Sequence, residues 1–199
     1  MAALEFKYSV MNAGKTNQLL ALAQSLKDCG ENPLLISSAM DDRFGESVIA
    51  SRSGWAMPCI AITSETNLLE LVKSQLNKDQ KLRNVILDEV QFYTPEQIIQ
   101  LAEVVDTLNI NVTCFGLNID SNGNMFEASK KLIELADSSE RIGVKHCHCG
   151  KRATMILRFD SQTKEILKNV ESIMVGKEDS YSSVCRKCWT ENNLPETII

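Results

Sequence analysis

An apolar run, a loop of small residues and a helical segment follow one another near the N-terminus. Residues 4–10 are typical of a short strand, and leucines at helical spacing predict a helix over residues 16–29. The loop between them ends in Gly14, Lys15 and Thr16. In such a loop, backbone N–H groups face a polyphosphate, the lysine reaches the terminal phosphates and the hydroxyl binds Mg²⁺. The segment therefore predicts a nucleotide-binding loop, the alternative being an ordinary turn before a helix.

The candidate phosphate loop departs from the full pattern at its first position. A glycine is expected there, and this chain has Ser9 instead. Serine can take that place if the backbone does not need a positive φ. The candidate loop residues are Ser9, Val10, Met11, Asn12, Ala13, Gly14, Lys15 and Thr16.

Strand-like and helical segments alternate over roughly the first 140 residues. Further strands are expected at residues 33–38, 84–87 and 111–116, and helices at 67–76, from Thr94 onward and at 128–136. Thr94, Pro95 and Gln97 form the start of a helix with a capping box. Strands that are continuous apolar runs indicate an α/β fold, a P-loop parallel sheet with helices on both faces. We expect a nucleotide-binding domain over 1–140 and a smaller domain over 141–199.

Two adjacent carboxylates follow the predicted strand at 84–87. Asp88 would lie at the carboxyl edge of the sheet, where ligands collect, and could bind Mg²⁺ opposite the phosphate loop. Glu89 could accept a proton from an attacking hydroxyl, or it is a solvated loop residue. Arg43, in a polar loop after the second strand, could neutralise charge on a transferred phosphoryl group, although such loop arginines commonly serve only solvation.

Four of the seven cysteines form two close pairs. They are Cys147 and Cys149, and Cys185 and Cys188. Together the pairs predict a tetrahedral, structural Zn²⁺ site, in which His146 or His148 could replace one thiolate. The polar loop at 175–181, before the second pair, could close over a substrate. The alternative is a plain zinc ribbon that mediates oligomer contacts or binds nucleic acid.

Composition excludes several classes of protein. The chain has 199 residues, of which 44% are hydrophobic, and a net charge of −5. This acidic balance argues against a nucleic-acid-binding protein. No segment has the length and apolarity of a membrane span or of a signal peptide, and the reduced, metal-spaced cysteines fit a cytoplasmic protein.

Four motifs occur together in the order expected of one family. They are residues 8–16, Asp41-Asp42-Arg43-Phe44-Gly45, Asp88-Glu89-Val90-Gln91-Phe92 and Cys185-Arg186-Lys187-Cys188. Over residues 6–189 the chain resembles the zinc-containing, tetrameric thymidine kinases of bacteria, animals and some phages. It is most similar to their enterobacterial branch, in which serine also replaces the first loop glycine.

This resemblance implies a function and a set of site residues. The chain would transfer the γ-phosphoryl group of ATP to the 5′-hydroxyl of thymidine, and deoxyuridine is a further expected substrate. Glu89 would be the base, Lys15 and Arg43 would stabilise charge, and the nucleotide would contact the phosphate loop. Further nucleotide contacts are implied at Asp88, Glu89, Val90 and Gln91. The pyrimidine would contact Met11, Phe92 and Leu117, and a lasso loop that includes Met174, Val175, Gly176 and Tyr181. The four cysteines would be the zinc ligands, and the protein would be a homotetramer.

Three departures from the family pattern lie near the expected substrate. Asn118 replaces an arginine, Ser121 a phenylalanine of the pyrimidine pocket, and Lys177 a glycine of the lasso. Losing an aromatic wall would weaken binding by about 1–3 kcal/mol. The alternative function is therefore a homologue that binds nucleotide without thymidine kinase activity.

Overall fold

We describe residues 1–39, 47–168 and 180–195 of the chain from a computed structural model. These residues form ten strands and five α-helices. The strands are β1 (Leu4–Tyr8), β2 (Leu34–Ser38), β3 (Val48–Ala50), β4 (Ala56–Pro58), β5 (Ile60–Ile62), β6 (Asn84–Leu87), β7 (Asn111–Gly116), β8 (Ser138–Arg141), β9 (Met155–Phe159) and β10 (Ser180–Val184). The helices are α1 (Lys15–Asp28), α2 (Leu68–Lys78), α3 (Pro95–Leu108), α4 (Glu127–Leu135) and α5 (Arg186–Thr190), and a short 3-10 helix spans Val90–Phe92.

Six strands form one sheet in the order β5-β2-β6-β7-β1-β8. Every pairing within it is parallel, for example Phe6 with Cys114 and Leu87 with Cys114. Parallel strands need crossover connections, and the helices supply them. The predicted α/β parallel sheet is confirmed.

Apolar side chains cover both faces of this sheet. On one face α2, α3 and α4 pack on the strands, with Leu101 and Leu132 fully buried among them. On the other face α1 and the β3–β4 hairpin bury Leu19, Phe115 and Met57. Helices lie on both faces, as the continuous apolar strands predict.

A small module follows the sheet. β9 and β10 pair as an antiparallel hairpin, and the short helix α5 packs against it. The module's own apolar cluster contains Leu157 and Val184 together with three of the paired cysteines. Since a cluster of this size buries little apolar area, the thiolates are well placed to stabilise it through a metal.

No helix within the described residues is long and apolar enough to span a bilayer.

Candidate active site

The candidate phosphate loop connects the end of β1 to the start of α1. Its backbone turns through Gly14, whose φ of 85° lies in the left-handed region that favours glycine. Ser9 is not among the described residues with positive φ, so a side chain at that position introduces no backbone strain. The buried Lys15 ammonium donates to the backbone carbonyl of Val10 at 3.1 Å. The Lys15 side chain is therefore held against the loop, next to the amino end of α1, where backbone N–H groups favour an anion.

The phosphate loop and the acidic pair meet at one edge of the sheet. The Thr16 hydroxyl donates to Oδ2 of Asp88 at 3.2 Å. Asp88 follows β6, and β7 lies between β6 and β1, so the two strands that carry the motifs are not neighbours. α1 contacts β7, and Thr16 at its start thereby reaches Asp88 across that intervening strand.

Asp88 is a buried carboxyl with a perturbed acidity. Burial, and after it the nearby charge of Glu89, raises its pKa from 3.8 to about 7. The backbone N–H of Glu89, the Lys15 ammonium and the Thr16 hydroxyl oppose that rise. A carboxyl that resists ionisation until a cation arrives is suited to a site loaded with a metal ion.

Glu89 stands at the turn between β6 and the 3-10 helix. Its φ of 50° is left-handed, and its backbone N–H donates to Oδ1 of Asp88 at 3.0 Å. Its side-chain Oε2 accepts a hydrogen bond from Nε2 of Gln91 at 2.5 Å. Val90 is fully buried in the sheet core beside this turn. The unusual backbone conformation thus brings two carboxylates to the same edge of the sheet.

An apolar cluster joins the phosphate loop to the small module. It brings together three residues of the implied pyrimidine pocket, Met11, Leu117 and Tyr181, with Val10 and Ile156. Phe92 is half-buried and lies outside that cluster. Apolar residues from the loop, from the end of β7 and from the β9–β10 hairpin therefore share one surface beside the phosphate loop.

Polar contacts add to this junction. The Ser183 hydroxyl donates to the carbonyl of Met11 at 2.8 Å. A Cβ at Gly143 would lie 2.2 Å from the carbonyl oxygen of Ala13, so the backbone approaches the loop as closely as glycine allows. The sequence prediction missed both contacts, since neither residue belongs to a recognisable motif.

The loop after β7 contacts the small module through a tryptophan. Nε1 of Trp189 donates to the carbonyl of Ser121 at 3.0 Å. The Trp189 ring also packs so closely on Gly123 that a Cβ there would lie 3.2 Å from it. Ser121 is buried, and the carbonyl of Asn118 accepts a hydrogen bond from the N–H of Phe126. Asn118 and Ser121, two of the substituted positions, thus lie in a hairpin that Trp189 of the small module contacts.

The four paired cysteines converge. The sulfurs of Cys147, Cys149, Cys185 and Cys188 all lie within 4.8 Å of one another. The sulfurs of Cys149 and Cys185 are 3.6 Å apart. This is close to the sulfur–sulfur separation of about 3.8 Å that two tetrahedral zinc–thiolate bonds require. His148 lies beside the cluster, with its ring nitrogens 3.6 Å from the sulfur of Cys147 and 3.7 Å from that of Cys188. Because the four sulfurs already surround one position, they could hold a zinc ion without a histidine ligand.

The environment of Cys185 favours its thiolate. The backbone N–H of Cys188 lowers the pKa of the Cys185 thiol to about 7. A thiolate is the form that binds a metal.

Several predicted site residues lie outside the described residues. They are Arg43, Met174, Val175, Gly176 and Lys177. Their roles remain predictions from the sequence.

The parallel sheet and the loop geometry define a class of protein. A phosphate loop after the first strand, with a carboxylate from another strand bonded to its threonine, is the arrangement of P-loop nucleotide-binding proteins. The family model for thymidine kinase matches residues 2–189, and the chain belongs to that family.

Three curated thymidine kinases are similar to this chain over nearly their whole length. The thymidine kinase of Haemophilus influenzae is 40% identical over 96% of this chain and 97% of its own. The thymidine kinase of Aliivibrio fischeri is 39% identical over 96% of this chain and 98% of its own. That of Mannheimia succiniciproducens is 40% identical over 94% of both chains.

Proposed function

We propose that this protein is a thymidine kinase that transfers the γ-phosphoryl group of ATP to the 5′-hydroxyl of thymidine in nucleotide salvage. The hydrogen bond between Thr16 and Asp88 supports this most directly, because it joins the phosphate loop and the acidic edge into one site. Membership of the thymidine kinase family supplies the nucleoside. Deoxyuridine is the second substrate we propose.

The residues have distinct roles in the proposed reaction. The loop from Ser9 to Thr16 binds the phosphates through its backbone N–H groups, and Lys15 stabilises charge on the transferred group. Thr16 and Asp88 would hold Mg²⁺, which neutralises charge on the phosphate oxygens when bound. We propose that Arg43 adds charge stabilisation from its loop.

Glu89 is the proposed general base. Its carboxylate takes the proton of the 5′-hydroxyl as that oxygen forms a bond to the γ-phosphorus. The bond between the γ-phosphorus and the β–γ bridging oxygen breaks, and ADP leaves with the electron pair. Since phosphoryl transfer depends mainly on positioning and charge, this site needs no covalent intermediate.

Met11, Phe92, Leu117 and Tyr181 are the proposed contacts of the thymine base. The shared apolar cluster of Met11, Leu117 and Tyr181 supports the assignment of these three. The lasso residues Met174, Val175 and Gly176 complete the proposed pocket. We also propose a nucleotide contact by Val90, as the family resemblance implies, whereas the Gln91 side-chain amide is bonded to Glu89 and Leu117.

The four cysteines are the proposed ligands of a structural zinc ion. The contacts of Ser183 and Trp189 with the site support the idea that the metal holds the substrate-binding side of the molecule in place. We further propose a homotetramer in the cytoplasm, with domains at 1–140 and 141–199. Light scattering of the purified, zinc-loaded protein measures the oligomeric state, and a monomer would contradict the tetramer.

A nucleoside panel tests the function. The full-length protein is incubated with Mg²⁺, γ-labelled ATP and each of thymidine, deoxyuridine, deoxycytidine and the purine deoxynucleosides. We expect labelled thymidine monophosphate to form fastest. Absence of transfer to every pyrimidine deoxynucleoside would contradict the proposal, and tight ATP binding with no thymidine binding would favour a nucleotide-binding homologue instead.

A further inference from the structure

We infer that Gln91 is a positioning residue for phosphoryl transfer, because its side-chain amide fixes the Glu89 carboxylate to the backbone at the end of β7. The inference rests on the proposed function, in which Glu89 is the base. It differs from a nucleotide contact, since the amide is directed at protein groups.

The hydrogen bonds of Gln91 determine the orientation of its amide. The side chain is 4% exposed, with Nε2 donating to Glu89 Oε2 at 2.5 Å and Oε1 accepting from the Leu117 N–H at 2.9 Å. A carboxylate can only accept and a backbone N–H can only donate. The flipped amide would break both bonds, so only one orientation satisfies both partners.

The surrounding backbone leaves this amide little room to move. A Cβ at Gly116 would lie 2.8 Å from Oε1 of Gln91 and 2.7 Å from Cγ2 of Val90. The carbonyl of Leu117 accepts the hydroxyl of the buried Ser129 at 2.6 Å, which holds the receiving backbone. The Glu89 carboxylate is therefore tied to a fixed point of the sheet edge.

This connection sets the distance between the base and the proposed pocket. Leu117 belongs to the apolar cluster with Met11 and Tyr181, and the Gln91 amide, 26 positions earlier in the sequence, links it to Glu89. A glutamate side chain has several rotatable bonds, and ordering it costs about 1.5–2 kcal/mol. Because the Gln91 bond already restricts the Glu89 side chain, less of this entropy cost is paid during the reaction. Position matters as well, since misplacement of a reacting group by about 1 Å can lower a rate about 100-fold.

A second buried glutamine offers a matched control. Gln97 is 2% exposed, and its Nε2 donates to the carbonyls of Thr63 at 2.9 Å and Thr66 at 3.0 Å. It is therefore a buried amide that joins α3 to the loop before α2, and these bonds do not involve Glu89. Replacing either glutamine by glutamate perturbs a buried amide network, but only one replacement faces the base.

The experiment compares Gln91→Glu with Gln97→Glu in the full-length, zinc-loaded protein. Gln91→Glu keeps an acceptor for the Leu117 N–H and puts a second carboxyl against Glu89. We expect kcat at pH 7.5 to fall by about tenfold or more, with KM for thymidine and ATP within about threefold. The acidic limb of the kcat pH profile should move up by about one pH unit or more, because two carboxyls in contact share a proton. Gln97→Glu should leave that limb where it is.

A neutral variant covers the case in which Gln91→Glu does not fold. Gln91→Asn shortens the side chain by one methylene, so the amide cannot span Glu89 and Leu117. We expect a loss in kcat of about tenfold at unchanged KM, without an upward shift of the acidic limb. Thermal melts of each variant establish that it is folded.

The outcomes separate the inference from the proposed function. If the wild-type protein transfers no phosphoryl group to a nucleoside, the function fails and the inference fails with it. If the wild type is active and folded Gln91 variants keep its kcat and pH profile, only the positioning role is overturned. An equal shift of the limb in Gln91→Glu and Gln97→Glu also overturns it, because a general structural effect would then explain both.

Discussion

Replacing Asp88 by asparagine removes a buried charge at the centre of the site. Asparagine has nearly the same shape, its Oδ1 can accept from the Glu89 N–H, and its Nδ2 can donate to the Thr16 hydroxyl oxygen. Both hydrogen bonds of the carboxylate thus have a counterpart in the variant. The change in stability therefore reports mainly the free energy of ionising this buried carboxyl.

The size and the pH dependence of this effect follow from the Asp88 pKa. A rise from 3.8 to about 7 corresponds to a penalty of about 4 kcal/mol for the ionised folded protein. The folded state binds more protons than the unfolded state between these two values, so this contribution to the free energy of unfolding falls as pH rises from about 4 to about 7. We expect Asp88→Asn to stabilise the magnesium-free protein by about 2–4 kcal/mol at pH 8. The gain should shrink towards zero near pH 4.

Urea unfolding at pH 8 and pH 5, without added magnesium or nucleotide, measures this difference. The exposed Asp106→Asn on α3 is the control, and we expect no change from it at either pH. The same Asp88→Asn protein should have lost its kinase activity, because the neutral amide is a poor ligand for Mg²⁺. An Asp88→Asn variant that is less stable than wild type at pH 8, or stabilised equally at both pH values, would refute the reasoning.

Three further changes test other parts of the structure. The buried Tyr93 hydroxyl has no hydrogen-bond partner within the described residues, so Tyr93→Phe should raise the free energy of unfolding by about 1 kcal/mol, and a loss in urea melts would contradict this. Gly143→Ala should displace the phosphate loop and weaken ATP binding about tenfold by calorimetry, whereas an unchanged Kd would show that the backbone tolerates a Cβ there. In a Trp55→Phe background Trp189 is the only tryptophan, and zinc chelation should shift its fluorescence to the red before the parallel sheet unfolds; an unchanged spectrum would contradict metal support of this contact.

Elements with both an apolar run and a local signal could be predicted well. The helix predicted from Thr94 onward is α3, and its capping box with Gln97 is present. The strands predicted at 84–87 and 111–116 have the bounds of β6 and β7. In these segments the local hydrogen bonding and the buried face favour the same structure.

Other strands carry no pattern from which to predict them. β8 consists of Ser138, Ser139, Glu140 and Arg141, and it is largely exposed at the edge of the sheet. Its place depends on pairing with β1, a contact between distant segments. β3, β4 and β5 have three residues each, too few for hydrophobic periodicity to be visible.

The two halves of the site were predictable because the carboxyl ends of parallel strands share one edge. That rule places Thr16 and Asp88 at the same edge, and the structure shows them bonded. It does not predict that β7 lies between β6 and β1, or that Gln91 bonds to Leu117. Both features depend on segments that are distant in the sequence and meet only when the sheet forms.

The kinetics of Glu89→Gln measured together with binding test the central claim most directly. Glutamine keeps the size of the side chain and cannot accept the proton of the 5′-hydroxyl. If the carboxylate at this edge is the base, kcat for thymidine phosphorylation should fall about tenfold or more, while calorimetric Kd values for ATP and thymidine stay within about threefold of wild type. A folded Glu89→Gln enzyme with the wild-type kcat would contradict the claim that chemistry occurs where the phosphate loop meets the acidic pair.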